Sequence, residues 1–424
     1  MDQHAVRARE VIASLRSGTP PERGVSLYSV GNEVLISGIR DRLLADMEAC
    51  GIIRFISGTW GSGKTHFLRQ IRDVAQDEGL LVSTVELDTD SAAMNKFETV
   101  YETIVRNIAS PRRSDAGSGD ICDQPSFGGV LAEALAYVGS GQLHAQRESL
   151  FDYYEPARQA LMSTQGIDID FKKMVAFYWK TFRPEASEDT AHNERRGEIL
   201  DWFYGQGTIG AYRKTYGVNK ILTRANAKLM LQSLVAFVRL VGYKGFLILL
   251  DESNKAFSVM RKAALKDAHN NLLSLINSIG GQPGLFLLYA ATPDFYNDPK
   301  YGIQEFGALA GRIGMPKQSP PRALDRVWNF DAQAPEPSAV LEAATKIRDV
   351  YGAAMPDAVG KLPTTEDLES FLSALLQSHS KFAGVSSWRL AVVGVIEKLD
   401  DSMEGRMREP AEVYRDVVER LREP

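Results

Sequence analysis

An α/β fold is predicted, a parallel sheet covered by helices on both faces with a helical insertion and an all-helical C-terminal unit, on three observations. Short apolar runs bounded by turn signals alternate with amphipathic helical stretches. One run, "IIRFIS" at residues 52–57, is followed at once by a glycine-rich loop and then by a helix. After "DAQAPEPSAV", residues 331–340, the composition shifts and only helical periodicity remains.

In chain order, "AVRAREVIASL" has the period of an opening helix, and the Gly/Pro-rich "RSGTPPERGVSLYSVGNE" must be loop or extended chain. A second helix, Ile36 to Glu48, leads into "IIRFIS". Beyond the glycine loop, "THFLRQIRDVAQDEG" places Phe67, Leu68 and Ile71 on one helical face. "LLVSTVELD" (80–88), "GYKGFLILLDE" (242–252), "GLFLLYAATP" (284–293) and "RVWNFD" (326–331) supply further strands. Between Asp88 and Gly242 the chain exceeds what one crossover helix needs, and its amphipathic runs "FETVYETIVRNIA", "FKKMVAFYWKTF" and "ANAKLMLQSLVAFVRLV" indicate a helical insertion. "SPRRSDAGSGDICDQPS", residues 110–126, has the composition of a mobile loop. The expected organisation is an N-terminal segment at 1–50, a core at 51–335 with its insertion at about 98–240, and a helical lid at 336–424.

With 424 residues, 44% of them hydrophobic, the chain can bury a substantial core. A formal charge of −5 argues against holding nucleic acid by bulk charge, so any such contact is local or made through a partner. Cys50 and Cys122 have neither metal-ligand spacing nor disulfide density. No apolar signal region opens the chain, and no run approaches the ~20 apolar residues of a membrane span, so a cytoplasmic protein without membrane contact is expected. The six histidines show no metal-ligand spacing, and His269 is expected on a helix surface.

"GTWGSGKT", Gly58 to Thr65, fits G-x-x-x-x-G-K-[ST] between a strand and a helix, the context the phosphate loop requires. Gly58, Gly61 and Gly63 let backbone N–H groups turn inward on phosphate oxygens, with Thr59, Trp60 and Ser62 between them and His66 just after. Lys64 reaches the terminal phosphates and Thr65 ligates Mg²⁺. In "FLILLDES", residues 246–253, an apolar strand ends in Asp251, a metal partner, and Glu252, which polarises the attacking water. Strand-end acids also cap helices, but here they accompany a phosphate loop. Thr292 in "YAATPDF" either orients that water or caps the next turn. Arg312 in "ALAGRIG" is either a finger reaching a neighbour's γ-phosphate or a solvated arginine, with Arg322 and Arg326 as competitors. Arg389 in "GVSSWRLAVVGVIEKL" lies in the early turns of a helix and is by itself more often a surface residue.

Taken together, "GTWGSGKT", "LILLDES", "YAATPDF", "GRIG" and "SSWRLAV" resemble the AAA+ ATPases, in particular their origin-recognition branch. The resemblance implies Walker A roles for Lys64 and Thr65, Walker B roles for Asp251 and Glu252, and sensor 1 at Thr292, where the family more usually has Asn. It implies an arginine finger at Arg312 and, in the lid, sensor 2 at Arg389. "LVSTVEL", "GIDIDF", "MRKAALKDAHNNLL", "YAATPDFYNDPKYGI" and "PPRALDRVWN" narrow it: the chain resembles the ATP-binding D protein family of BREX bacteriophage-exclusion systems. In "SVGNE", Val30, Gly31 and Asn32 lie where relatives contact adenine, which implies ATP over GTP. The implied activity is an ATPase working as a homo-oligomer, with Mg²⁺, on other defence proteins such as a helicase-like partner or on a nucleic-acid complex. The alternative is a nucleotide-gated adaptor with slow turnover.

Overall fold

The computed structural model describes residues 3–111, 126–141, 150–183, 190–252, 260–332, 335–377 and 386–422. Most of the expected loop at 110–126, with Cys122, and the stretch directly after Glu252 lie outside them.

Among the described residues six strands form one sheet: β1 (Ile52–Ser57), β2 (Leu81–Glu86), β3 (Ile108–Ala109), β4 (Phe246–Asp251), β5 (Leu285–Ala291) and β6 (Val327–Asn329). Their order is β3-β2-β4-β5-β1-β6. All neighbours are parallel except β3, which runs antiparallel on β2 with Val82 opposite Ala109. The fold is therefore α/β with a mostly parallel sheet. The antiparallel edge corrects the expectation of a parallel sheet, for "NIA" closes the amphipathic run "FETVYETIVRNIA", whereas the helix stops at Arg106 and Ile108–Ala109 form the edge strand. Two paired residues are too few to show a period of their own.

Alternation along each strand divides the core between the two faces. On β5, Leu285, Leu287, Tyr289 and Ala291 face one layer, while Phe286, Leu288 and Ala290 face the other. The first layer joins the sheet to Lys262–Ile279 and the middle helices, including Phe127–Ser140, Ile169–Lys180 and Ala227–Leu240. Trp179, fully buried there, donates its indole N–H to the Leu131 carbonyl at 2.7 Å, which leaves no polar atom of the ring unsatisfied. The second layer receives the expected face of the helix Lys64–Asp77, Phe67, Leu68 and Ile71, and with it Ala75.

The expected helix from Ile36 to Glu48 is present as one helical run from Glu33 to Asp46, regular over Glu33–Gly38 and Leu44–Asp46 with a wide π turn at Ile39–Leu43 between them. Gly38 sits so close to Ala323 that a side chain there would meet its Cβ at 2.7 Å. His269 corrects another expectation: it is 1% exposed, its ring edge-on to Phe306 at 4.3 Å, and burial lowers its pKa to about 4.

A third apolar cluster lies at the C-terminal helices. The helix Gln3–Arg16 sends Ala8, Val11, Ile12 and Leu15 into it, against Val340, Ile347 and Leu390. Arg16 closes the contact on the Asp400 carboxylate at 2.6 Å, where Tyr351 also donates at 2.7 Å. The first helix therefore packs with the last ones, a pairing that no local pattern encodes. Among the described residues, no helix is long and apolar enough to cross a membrane.

Candidate nucleotide-binding site

The carboxyl ends of β1, β4, β5 and β6 share one sheet edge, since Ser57 pairs with Ala291 and Asn329, and Asp251 with Ala290. From β1 the chain runs past β5 and β4 to β2, whereas from β5 it crosses β1 to reach β6. Such a change of direction opens a crevice at the carboxyl ends of the strands, the usual ligand position in open α/β sheets.

The glycine loop lies at that edge. Gly61 and Gly63 take left-handed backbone angles (φ 80° and 97°), and a Cβ on Gly63 would meet nothing within 4 Å, so the loop curls around open space. Gly58 has no such freedom: a Cβ there would meet Ser62 Oγ at 2.2 Å. Lys64, 6% exposed, folds back to donate to the carbonyls of Gly58 at 2.7 Å and Thr59 at 3.0 Å. Burial lowers its pKa, against the pull of Asp251, Asp331 and Glu252.

The Thr65 hydroxyl donates to Asp251 Oδ2 at 2.6 Å, and Asp251 Oδ1 is buried with no hydrogen-bond partner. Burial raises the Asp251 pKa, with Thr65 and Lys64 opposing. A buried carboxylate with one orphaned oxygen beside a hydroxyl suits a hard divalent cation. Among the described residues no group of three or more His, Cys, Asp or Glu is arranged to hold a metal by itself.

Glu252 is 2% exposed and accepts the Tyr289 hydroxyl at 3.2 Å on Oε2. Tyr289, buried on β5, was not foreseen; its place one strand over, facing the same layer, is the signal that strand alternation offered. Thr292 follows β5, 5% exposed, and heads the helix Pro293–Asn297 without a side-chain cap bond, which weakens its reading as a mere turn cap.

His66 knits the loop helix to the preceding segment. Ser29 Oγ donates to the Val25 carbonyl at 2.7 Å and so accepts from His66 Nε2 at 2.9 Å, while His66 Nδ1 accepts from the Tyr28 hydroxyl at 3.2 Å. Burial, helped by Arg69, lowers the His66 pKa to about 4, so the ring is neutral as these bonds require. Asn32 reaches Gln70 on the loop helix at 3.2 Å, and the Gly31 N–H donates to Glu33 Oε1 at 3.1 Å. Val30, 7% exposed, precedes them, and a Cβ on Gly31 would meet nothing within 4 Å. The "SVGNE" chain thus runs beside the loop with space at Gly31.

From the C-terminal helices, Ser386 donates its hydroxyl to the Gly61 carbonyl at 2.5 Å. Arg389 donates to the Gly18 carbonyl at 3.2 Å, with its side chain close to Gly61 and its pKa lowered by burial. Trp60, at the loop tip, is 52% exposed. Arg312 is not brought into this cluster: it is exposed near the end of the helix Gly307–Ile313, and its carbonyl accepts from Arg326. Arg326 precedes β6, whereas the glycine loop meets Asp331, which follows it. Arg322 is likewise exposed, its N–H held by Asp325 at 3.0 Å.

A glycine loop, an acid pair and a polar sheet edge are the equipment of a nucleotide binder, and comparison with known families agrees: the chain belongs to a family of ATP-binding proteins. That family is described as BREX system ATP-binding protein BrxC/D, and it matches residues 4–420, nearly the whole chain. Membership carries an ATP-binding role in bacteriophage exclusion. No curated protein and no solved structure matches the chain.

Proposed function

We propose that the chain is a Mg²⁺-dependent ATPase of the AAA+ type, serving phage defence in the cytoplasm as a homo-oligomer that remodels or licenses a partner protein or nucleic-acid complex. The observation that carries hydrolysis is the buried pair Asp251–Glu252 beside Thr65, with the Thr65–Asp251 bond at 2.6 Å and Glu252 oriented by Tyr289. The residues at 51–335 would form the nucleotide core, those at 336–424 its lid, and the first 50 would carry the adenine-contacting chain.

The loop amides and Lys64 bind the phosphate chain, and Val30, Gly31, Asn32 and His66 line the base side. Thr65 and Asp251 would hold Mg²⁺, which when bound supplies charge neutralisation between the phosphates. Glu252 orients water for in-line attack on the γ-phosphorus and takes its proton as the bond to ADP breaks. Thr292 assists from just past β5, Arg389 reports from the lid, and Arg312 acts on the site of a neighbouring subunit.

The test is steady-state ATP turnover by native chain and Glu252→Gln. Native turnover with retained binding but turnover about 10²-fold lower or less in the variant is expected; equal turnover in both would defeat the assignment. A second reading, a nucleotide-gated adaptor, is favoured by the Ser386–Gly61 contact, which couples the C-terminal helices to the loop without chemistry. It prevails if Glu252→Gln protein loaded with ATP sustains full phage protection.

A further inference from the structure

Two contacts hold the glycine loop from the chain beyond β6, and neither belongs to the phosphate-binding pattern. Asp331, two residues past β6, accepts the Thr59 N–H at 2.7 Å on Oδ2 and the Thr59 hydroxyl at 2.8 Å on Oδ1. Ser386, capping the helix Ser387–Glu404, donates to the Gly61 carbonyl at 2.5 Å. Thr59 is also where Lys64 rests, its ammonium 3.0 Å from the Thr59 carbonyl, and Asp331 is one of the charges that offset the burial of that ammonium.

A triphosphate must draw the Lys64 ammonium to itself. Doing so moves the ammonium off the Thr59 carbonyl, which lies beside the exposed Asp331 carboxylate, and brings several negative charges toward that carboxylate, where like charges repel. Resting on the nucleotide reading above, we infer that Asp331 is a positioning residue acting as a latch. It holds the loop at Thr59 while Ser386 holds it at Gly61, and an incoming triphosphate expels it. The chain from Asp331 leads to the helix Pro337–Ala354, which packs on Gln3–Arg16 and holds the Ser29 carbonyl through Lys346 Nζ at 3.0 Å. Expulsion of Asp331 therefore reaches both the C-terminal helices and the segment beside His66.

The experiment measures affinity for a fluorescent ATP analogue and hydrogen–deuterium exchange over residues 337–354 and 387–404, on the full chain with and without ATP and Mg²⁺. Native protein is expected to change its exchange on ATP addition. Asp331→Asn, without the repelled charge, is expected to bind about three- to tenfold tighter and to show the same exchange with and without nucleotide. Thr59→Val, which keeps the charge but loses the hydroxyl bond, is expected to fall between the two. A native-like exchange response in Asp331→Asn, or weaker binding by it, overturns the latch. Should Asp331→Asn not fold, native affinity and response in Thr59→Val overturn it instead. A native chain that binds no ATP overturns the nucleotide reading and the latch together, whereas native binding with an unaltered variant response overturns the latch alone.

Discussion

The Thr65 hydroxyl meets the Asp251 carboxylate at 2.6 Å, so the first turn of the loop helix and the end of β4 share one hydrogen bond. The other oxygen of Asp251 is buried without a partner, a cost to stability that a bound cation would relieve. Substitution should therefore separate stability from function. Asp251→Asn, which removes a buried charge, is expected to raise the melting temperature of the nucleotide-free chain by about 1–3 °C and to abolish the further rise on adding ATP with Mg²⁺. Thermal melts with and without Mg²⁺ decide; a preserved nucleotide-dependent rise would remove Asp251 from the metal position.

Tyr289 reaches Glu252 from the neighbouring strand, both side chains buried. Losing a hydrogen bond to a carboxylate costs about 1.5–3 kcal/mol, so Tyr289→Phe should lower turnover by about 10- to 160-fold. ATP affinity should stay native, because Tyr289 contacts the base and not the loop. A weakened affinity with unchanged turnover would contradict the orienting role.

Two buried histidines make acid a threat to the fold. His66 and His269 are lowered to about 4 in the folded chain, whereas an unfolded histidine titrates near 6.5. Below about pH 6.5 the unfolded chain takes up protons that the folded one refuses, so stability falls with pH until folded-state protonation near 4. Each residue should cost on the order of 1–2 kcal/mol by pH 5. Urea denaturation at pH 7.5 and 5.0 is the measure, and His269→Phe should lose less over that interval than native protein. An equal loss in both would show that His269 does not contribute.

Arg312 is exposed and sits by the residue that precedes β6, whereas its own loop lies by the residue that follows. Turnover should accordingly rise with protein concentration, and Arg312→Ala should lower the high-concentration rate at least about tenfold while leaving ATP affinity native. Concentration-independent turnover, insensitive to the substitution, would assign the arginine to the solvated surface.

Much of the site was legible because its chemistry is local. "GTWGSGKT" needs only a strand before it and a helix after it, and β1, the loop and Lys64–Asp77 follow in that order. Strand ends were legible where acid follows an apolar run, as at Asp251. By contrast, His269 was misjudged because its helical position alone does not show that Phe306 covers it. Tyr289 was passed over because a tyrosine in an apolar strand has the look of core until the adjacent strand brings a carboxylate.

By itself, the sequence determined the α/β class, the positions of the main parallel strands, the glycine loop between strand and helix and the acid pair at a strand end, since each rests on a period or spacing within a few residues. The tertiary structure alone decided that the first helix packs with the last ones, that Ser386 touches Gly61 and that Asp331 holds Thr59. Those contacts join residues hundreds of positions apart: the pairing of β6 on β1 carries Asp331 to Thr59, and the packing of the C-terminal helices carries Ser386 to Gly61, meetings that no period along the chain can record.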